Sequence, residues 1–239
     1  MLKNRQLLLI IILTFGFSNQ WIEINSNSPK SPTIELISSD VENSIISFEL
    51  HGFYFKPIQI DEVEYSVVKI PTAASIMNEG SPDLPKMSTS IIIPDDKNMD
   101  IEVISSNYIE YENINIAPSK GNLSRLINPE NVPYTFNDSY DENKFYPNNI
   151  AQLNEPYILR DFRGQVVEFH PVQYNPMTHT LRVYTSIKIS AQSSDGNSVN
   201  PFNREDSLEK VDKEYKNIYE SQFINFNNDT RFEYLVGHG

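Results

Sequence analysis

The sequence predicts an all-β fold, an antiparallel β-sandwich of the jelly-roll type with a helical segment towards the C-terminus. The composition favours strands, because the 239 residues include 13 Tyr and 13 Phe and aromatic side chains are enriched in strands. Apolar and polar residues alternate through most of the chain, which is the pattern of half-buried strands. Turns rich in Pro, Gly and Asn separate these runs without helical patterns between them, which argues against a βαβ arrangement.

The first 18 residues have the pattern of a secretory signal peptide. Two basic residues precede an apolar run from Leu7 to Phe17, which is too short to span a bilayer comfortably. Small residues around Ser18 suit cleavage after that position, so we expect a secreted, extracellular protein. An uncleaved membrane anchor is the alternative. Residues 19–32 are rich in Asn, Ser and Pro and are predicted to be a linker.

Residues 33–191 are predicted to form one sandwich domain. In the clearest strand, Leu181–Ser190, four aliphatic side chains share one face and four polar side chains share the other. Residues 175–178 have turn chemistry and are predicted to join this strand to Val166–Tyr174 as a hairpin. The other predicted strands are Ile34–Ile37, Ile45–Leu50, Phe53–Ile60, Glu64–Ile70, Ser88–Ile93, Asp100–Asn107 and Tyr157–Phe162.

The pattern changes beyond the last strand. Gln192–Pro201 is polar and is predicted to be a linker, and residues 203–223 are predicted to contain a helix outside the main sheets. Asp206 or Ser207 can cap the start of that helix. The residues of the predicted apolar stripe are Leu208, Val211, Tyr215, Ile218, Tyr219 and Gln222.

The C-terminal part completes the predicted organisation. Residues 192–231 are interpreted as linker, helix and an exposed segment, because Asn225–Arg231 has no apolar period. Residues 232–239 begin like a buried strand, which predicts the truncated start of a further domain.

The sequence predicts no catalytic residue, cofactor or metal. It has no Cys, which excludes a thiol nucleophile, disulfides and cysteine-ligated metals within this chain. A formal net charge of −13 opposes binding to nucleic acid. His170 and His179 lie on the two sides of the predicted hairpin and could approach each other, but a buried or solvated His is the ordinary case. No stable membrane span is expected after removal of the signal peptide.

One series of short motifs occurs in an order seen in a known family. Glu79–Pro85 reads Glu-Gly-Ser-Pro-Asp-Leu-Pro and resembles the Gly-x-Pro-x-Leu-Pro element in the pro-regions of gingipain-type cysteine peptidases, the C25 family. The later motifs are Ile116–Gly121, Ser124-Arg125, Asn128-Pro129, Lys144–Pro147, Ile158–Val167, Pro171–Pro176 and Thr180–Thr185. The likeness runs in order from about residue 79 to 190, and more weakly from 33 to 231, and is closest to the arginine-specific gingipains.

This resemblance implies a β-sandwich pro-domain that inhibits a gingipain-like catalytic domain and assists its folding, in cis or in trans. It also implies that a basic side chain of the pro-domain fills the substrate pocket, and the matching position is Arg125. Lys120 is the nearest rival, and a solvated loop arginine is the alternative for Arg125. Arg160 and Arg163 are interpreted as structural or surface charges that flank a tight turn.

The resemblance further implies that the pro-domain is removed at a basic residue before the catalytic domain. Arg231 occupies that place, so cleavage is predicted between Arg231 and Phe232. An incidental surface arginine is the alternative. The chain departs from the family pattern, because the catalytic domain that should follow, with its Cys and His, is missing.

A second function stays open at this point, a secreted β-sandwich module that binds carbohydrate or protein. Exposed aromatic residues could serve it, and the candidates are Trp21, Tyr108, Tyr111 and Tyr134. An enzyme is disfavoured by the missing nucleophile.

Overall fold

The computed structural model describes residues 20–40, 42–203, 210–211, 213–229 and 233–234. The predicted signal peptide, the predicted helix caps and the predicted cleavage site at Arg231 and Phe232 lie outside these residues. The strands are β1 (Gln20–Glu23), β2 (Thr33–Ser39), β3 (Asn43–Glu49), β4 (Gly52–Ile60), β5 (Val63–Lys69), β6 (Ala74–Ser75), β7 (Pro85–Ile92), β8 (Asn98–Tyr111), β9 (Ala151–Leu153), β10 (Tyr157–Leu159), β11 (Phe162–Phe169), β12 (Val172–Asn175), β13 (Thr180–Ser194), β14 (Lys210–Val211) and β15 (Glu233–Tyr234), with one helix, α1 (Lys213–Gln222), between the last two.

Three antiparallel sheets form the body of the protein. The first has the order β8-β13-β3-β2, and β12 lies beside β13 on the same edge as β3. The second has the order β10-β11-β7-β6, with β9 beside β11 on the same edge as β10. The third is β1-β4-β5, and β14 and β15 form a separate parallel pair. The predicted antiparallel all-β fold is confirmed.

One apolar core lies between the sheets. The rings of Phe48 on β3 and Phe169 on β11 stack at 5.6 Å between the first and second sheets. On β13, the four aliphatic side chains that the alternation predicted to share a face are all buried in this core. The alternating pattern predicts the buried face correctly because successive side chains of a strand point to opposite faces of the sheet.

The predicted strand Val166–Tyr174 is wrong as a single element. The chain leaves the second sheet after Phe169 and enters the first at Val172. Pro171 lies between them, and it has no N–H to continue a ladder. The hairpin that follows is confirmed, since β12 pairs with β13 and the Asn175 Oδ1 accepts hydrogen bonds from two backbone N–H groups of the turn.

Two other predicted elements differ from the structure. Tyr157–Phe162 is interrupted by a turn at Arg160 and Asp161, where Arg160 has a left-handed backbone conformation with a φ of 49°. The predicted linker 19–32 contains β1, which pairs with β4. The Trp21 ring packs against the ring of Tyr54 at 5.0 Å, and this apolar contact draws the segment onto the sandwich.

The helix α1 lies within the predicted range 203–223 and packs on the second sheet. Tyr219, Phe223 and Phe226 are buried against Phe162, with the rings of Phe162 and Phe226 5.6 Å apart. Ile218, which the predicted stripe included, is 48% exposed. The predicted stripe was wrong at Ile218 and at Val211, because α1 begins at Lys213 and Val211 lies in β14.

The segment after the helix also corrects a prediction. Asn225–Arg231 was expected to be exposed, but Asn225 and Phe226 are buried. The Asn225 side chain accepts a hydrogen bond from the Ile92 N–H at 2.7 Å and donates one to the Ile92 carbonyl at 3.0 Å. These two bonds continue the backbone pairing of β7, so the segment is fixed to the sheet. Val211, placed on the helix by the sequence, lies in β14.

Arg163 is fully buried and structural. Its guanidinium donates hydrogen bonds to the carbonyls of Pro94 and Lys97 on one loop. It also donates to the carbonyls of Val199 and Asn200 in the polar segment after β13. The side chain therefore ties that segment to the sandwich by satisfying several buried acceptors at once.

Glu168 is the centre of a buried polar cluster. Its carboxylate accepts hydrogen bonds from Lys86 Nζ at 2.6 Å, His170 Nε2 at 2.9 Å and Gln152 Nε2 at 3.1 Å. Burial acts to raise the pKa of Glu168, but the hydrogen bonds from Lys86 and His170 outweigh burial and hold that pKa below its ordinary value of 4.5.

We expect this cluster to make the folded chain sensitive to acid. A carboxyl group with a lower pKa in the folded than in the unfolded chain stabilises the fold above its unfolded pKa, and this contribution is lost as the pH falls through the folded pKa. Glu168→Gln should therefore flatten the decline of the urea unfolding midpoint below about pH 4.5. The matched change Glu35→Gln, at an exposed carboxylate, should keep the decline. Parallel curves for the wild type and Glu168→Gln would contradict the assignment.

Within the described residues, no helix has the length and hydropathy that crossing a bilayer requires.

Candidate functional site

The connection between β8 and β9 presents Arg125 at an exposed tip. The Ile127 N–H donates a hydrogen bond to the Ser124 carbonyl at 3.0 Å, which closes a tight turn with Arg125 and Leu126 at its two corners. The side chain of Leu126 is 97% exposed. Among the described residues, Arg125 has no hydrogen-bond or ion-pair partner, so its guanidinium is available to another molecule.

The two ends of this loop are held together by Lys120. The Lys120 ammonium donates a hydrogen bond to the Pro129 carbonyl at 2.7 Å and lies 4.1 Å from the centre of the Tyr134 ring, within range for a cation–π interaction. Tyr134 packs against the buried cluster of Ile60, Val67 and Ala117. We call Lys120, Pro129 and Tyr134 the loop brace. Lys120, the runner-up for the pocket, is thus engaged inside its own loop.

The C-terminal side of the loop is fixed by a short 3-10 turn, Pro129–Asn131. The Asn128 side chain accepts a hydrogen bond from the Glu130 N–H at 3.0 Å, and the Asn131 N–H donates to the Asn128 carbonyl. Burial, followed by the charge of Asp83, raises the pKa of the Tyr134 phenol, so this phenol stays neutral.

The Glu79–Pro85 motif anchors both limbs of the loop. The Gly80 N–H donates to the Ser119 carbonyl at 2.9 Å, and the Gly80 carbonyl accepts from the Asn137 N–H at 3.1 Å. Gly80 has a φ of 79°, and a Cβ there would lie 3.0 Å from the Cβ of Asn137. Glycine is therefore required for backbone conformation and for space. The Glu79–Pro85 motif therefore has a structural role beside the site.

The aromatic residues considered for a carbohydrate surface are dispersed and engaged in packing. Trp21 lies on Tyr54, and Tyr111 contacts Phe53 at 5.7 Å. Tyr108 packs on Tyr184 at 5.5 Å, while Tyr134 belongs to the loop brace. They form no common stacking platform, so the alternative of a carbohydrate-binding face loses its support.

His170 and His179 each have their own partners. The two ring nitrogens of His170 lie within hydrogen-bond distance of the Asn149 carbonyl and the Glu168 carboxylate, and His179 Nδ1 lies 3.5 Å from the Tyr174 hydroxyl. In the part of the chain that the structure describes, no group of three His, Asp or Glu side chains is arranged to hold a metal ion.

Sequence reasoning reached Arg125 through the family resemblance and missed the loop brace. Lys120 and Pro129 are separated by nine positions, and no local pattern indicates that a side chain of one meets the carbonyl of the other. The sequence does contain Gly80 and Gly121, which both adopt positive φ in the structure. These two glycines could have indicated that the base of the loop is tightly folded.

A sandwich that presents an exposed side chain on a braced loop has the architecture typical of binding modules. Its family follows from comparison with known proteins. Residues 25–232 match the Propeptide_C25 family, and the chain belongs to that family. The resemblance inferred from the motifs is confirmed, and the chain is a non-catalytic pro-region of the gingipain type.

Proteins similar to this chain include gingipains of Porphyromonas gingivalis. The chain is 38% identical to Gingipain R2 over 202 residues, covering 82% of this chain and 26% of that protein. It is 36% identical to Gingipain R1 over 191 residues, covering 80% of this chain and 19% of that protein. For Lys-gingipain the identity is 26%, with 77% of this chain and 11% of that protein covered. The chain spans about a quarter or less of the length of these relatives.

Two solved structures share the fold. A complex of the RgpB pro- and mature domains from Porphyromonas gingivalis matches with a TM-score of 0.76 and 36% identity, covering 83% of this chain and 100% of that chain. A structure addressing zymogenic latency of gingipain K matches with a TM-score of 0.60 and 20% identity, covering 75% of this chain and 100% of that chain. The likeness is therefore greater to the arginine-specific gingipains than to the lysine-specific one.

Proposed function

We propose that this chain is the inhibitory and folding-assisting pro-domain of a secreted, arginine-specific gingipain-like cysteine endopeptidase. Arg125 fills the substrate pocket of the catalytic domain until the pro-domain is cleaved off. The observation that carries the proposal is the exposed, unpaired Arg125 on its braced loop, in a chain similar to a pro-domain that was solved together with its mature domain. The catalytic partner acts in cis or in trans.

The chemistry of the guanidinium supports this role. A pocket that selects arginine has to offer acceptors in a planar arrangement, and a guanidinium can bind a carboxylate through two parallel hydrogen bonds. Hydrogen bonds to charged groups contribute about 1.5–3 kcal/mol each. The rigid sandwich holds the loop in place, so little conformational entropy is lost when it docks.

The compartment and the domain organisation are part of the same proposal. Residues 1–18 act as a signal peptide, residues 33–191 as the sandwich, and residues 192–231 as the segment that leads to processing. The support is the N-terminal sequence pattern and the membership in a gingipain pro-region family.

An inhibition assay tests the function. The purified chain is titrated into the catalytic domain of an arginine-specific gingipain, with a lysine-specific gingipain catalytic domain as the matched control. We expect competitive inhibition of the first enzyme and much weaker inhibition of the second. Absence of inhibition at micromolar concentrations, or equal inhibition of both enzymes, would contradict the proposal.

We expect the pro-domain to be released by cleavage between Arg231 and Phe232. Arg231 is the only Lys or Arg after Lys216 in this sequence, and proteases cut exposed, extended segments in preference to a folded sandwich. Limited digestion with an arginine-specific protease, followed by intact-mass measurement, should show this cut first. The variant Arg231→Gln is the control and should lose that product. Early cleavage inside the sandwich with this bond intact would refute the site.

A further inference from the structure

The peptide bond that follows Arg125 lies inside a tight turn, which bears on whether an arginine-specific peptidase can cut it. Such an enzyme hydrolyses the bond that follows arginine, so an arginine in its pocket would ordinarily make the loop a substrate. Here the Arg125–Leu126 bond is the central bond of the Ser124–Ile127 turn, which the Ile127 N–H to Ser124 carbonyl hydrogen bond closes at 3.0 Å. A tight turn does not present its central bond as the extended segment that a protease aligns, and small misplacements of a reacting group slow a reaction strongly.

The turn is kept by the way the loop ends are joined. Lys120 and Pro129 flank Arg125 at similar distances along the chain, and the 2.7 Å hydrogen bond between the Lys120 ammonium and the Pro129 carbonyl closes the loop at its base. Straightening the turn would push these two ends apart. The contact of Lys120 with the Tyr134 ring, at 4.1 Å, opposes that movement.

The brace is attached to the body of the protein and not only to the loop. The Tyr134 ring is half-buried against Ile60, Val67 and Ala117, which belong to or lie beside the third sheet. The N-terminal limb is held by the hydrogen bond between the Gly80 N–H and the Ser119 carbonyl. The loop therefore cannot change its span without losing contacts to the sandwich.

We propose that Lys120 is a positioning residue that makes this loop an inhibitor and not a substrate. The inference rests on the proposed function and deepens it. With the brace in place, Arg125 enters the pocket while the Arg125–Leu126 bond stays out of line for attack. Hydrolysis of that bond by water would leave a carboxylate on Arg125 and an amino group on Leu126. The brace slows this step, and it also keeps the two new ends close together, which favours the reverse reaction.

The test measures cleavage of one bond in five folded proteins. Four of them are the wild type, Lys120→Met, Tyr134→Ala and the conservative variant Tyr134→Phe, which keeps the ring. Lys144→Met is the matched control, because Lys144 lies in the same connection but pairs with Glu142 outside the brace. Each protein is incubated with an arginine-specific endopeptidase unrelated to gingipains, which leaves lysines uncut, and the Arg125–Leu126 product is followed by intact-mass spectrometry.

We expect Lys120→Met and Tyr134→Ala to be cut at this bond at least about tenfold faster than the wild type, and Tyr134→Phe and Lys144→Met to behave like the wild type. Thermal unfolding midpoints, measured in parallel, confirm that the variants are folded. Against an arginine-specific gingipain, Lys120→Met should inhibit at first and then lose inhibition as the loop is cut. Equal cleavage rates in the wild type and folded Lys120→Met would overturn the proposal.

This design separates the brace from the proposed function. Protection of the Arg125–Leu126 bond against the unrelated endopeptidase depends only on the loop. If that protection is lost in Lys120→Met while the wild-type chain fails to inhibit gingipains, the brace stands and the proposed function falls.

Discussion

Arg125→Ala is expected to raise the inhibition constant against an arginine-specific gingipain by about 30- to 900-fold, which corresponds to about 2–4 kcal/mol. The change removes the guanidinium and leaves the acceptors of the partner's pocket unpaired, and unpaired buried groups are costly. Arg125→Lys should fall between the wild type and Arg125→Ala, because an ammonium keeps the charge but loses the planar, two-bond geometry. The measurement is the inhibition constant of each protein under the same conditions.

The same substitution should leave the fold unchanged. Arg125 is exposed and has no partner among the described residues, so the free energy of unfolding should shift by no more than about 0.5 kcal/mol. Lys30→Ala is the charge control, since it removes one positive charge from another exposed position. Equal inhibition constants for the wild type and Arg125→Ala would remove Arg125 from the mechanism.

Phe226→Ala is expected to destabilise the fold by about 3–5 kcal/mol. Phe226 is 1% exposed, and its ring contacts those of Phe162 and Tyr219 at 5.6 and 5.5 Å. Truncation leaves a cavity where the segment after α1 meets the second sheet. Ile218→Ala, on the exposed side of α1, is the matched control and should change stability by less than about 1 kcal/mol.

Urea unfolding curves measure both changes. The pair is informative because the sequence pattern predicted the opposite order, with Ile218 inside and Phe226 outside. A larger loss of stability for Ile218→Ala than for Phe226→Ala would mean that the C-terminal segment packs differently from the structure.

The parts of the fold that the sequence predicted are those in which local pattern and burial coincide. The alternation on β13 marks its buried face because that face of the strand packs on the apolar core. The prediction failed where a few residues make distant contacts. Trp21 joins a polar segment to β4. The Asn225 side chain makes two hydrogen bonds to the Ile92 backbone, as a neighbouring strand would at that edge of β7. Neither contact leaves a periodic signal.

The sequence predicted the position of the candidate site but not the contacts that hold its loop. Arg125 was assigned from its place in a family motif, and periodicity alone would have left it as a solvated loop residue. The loop brace depends on Lys120 and Tyr134 meeting through the fold of the loop. That meeting is set by the anchoring of Gly80 against Ser119 and Asn137, which is a tertiary arrangement and not a local one.

The measurement that tests the central claim most directly is a crystal structure of this chain bound to the catalytic domain of an arginine-specific gingipain. We expect the Arg125 guanidinium inside the substrate pocket, with two hydrogen bonds to an acidic acceptor, and the Lys120 ammonium still on the Pro129 carbonyl. A pocket that is empty in the complex, or that holds any other side chain of this protein, would contradict the claim.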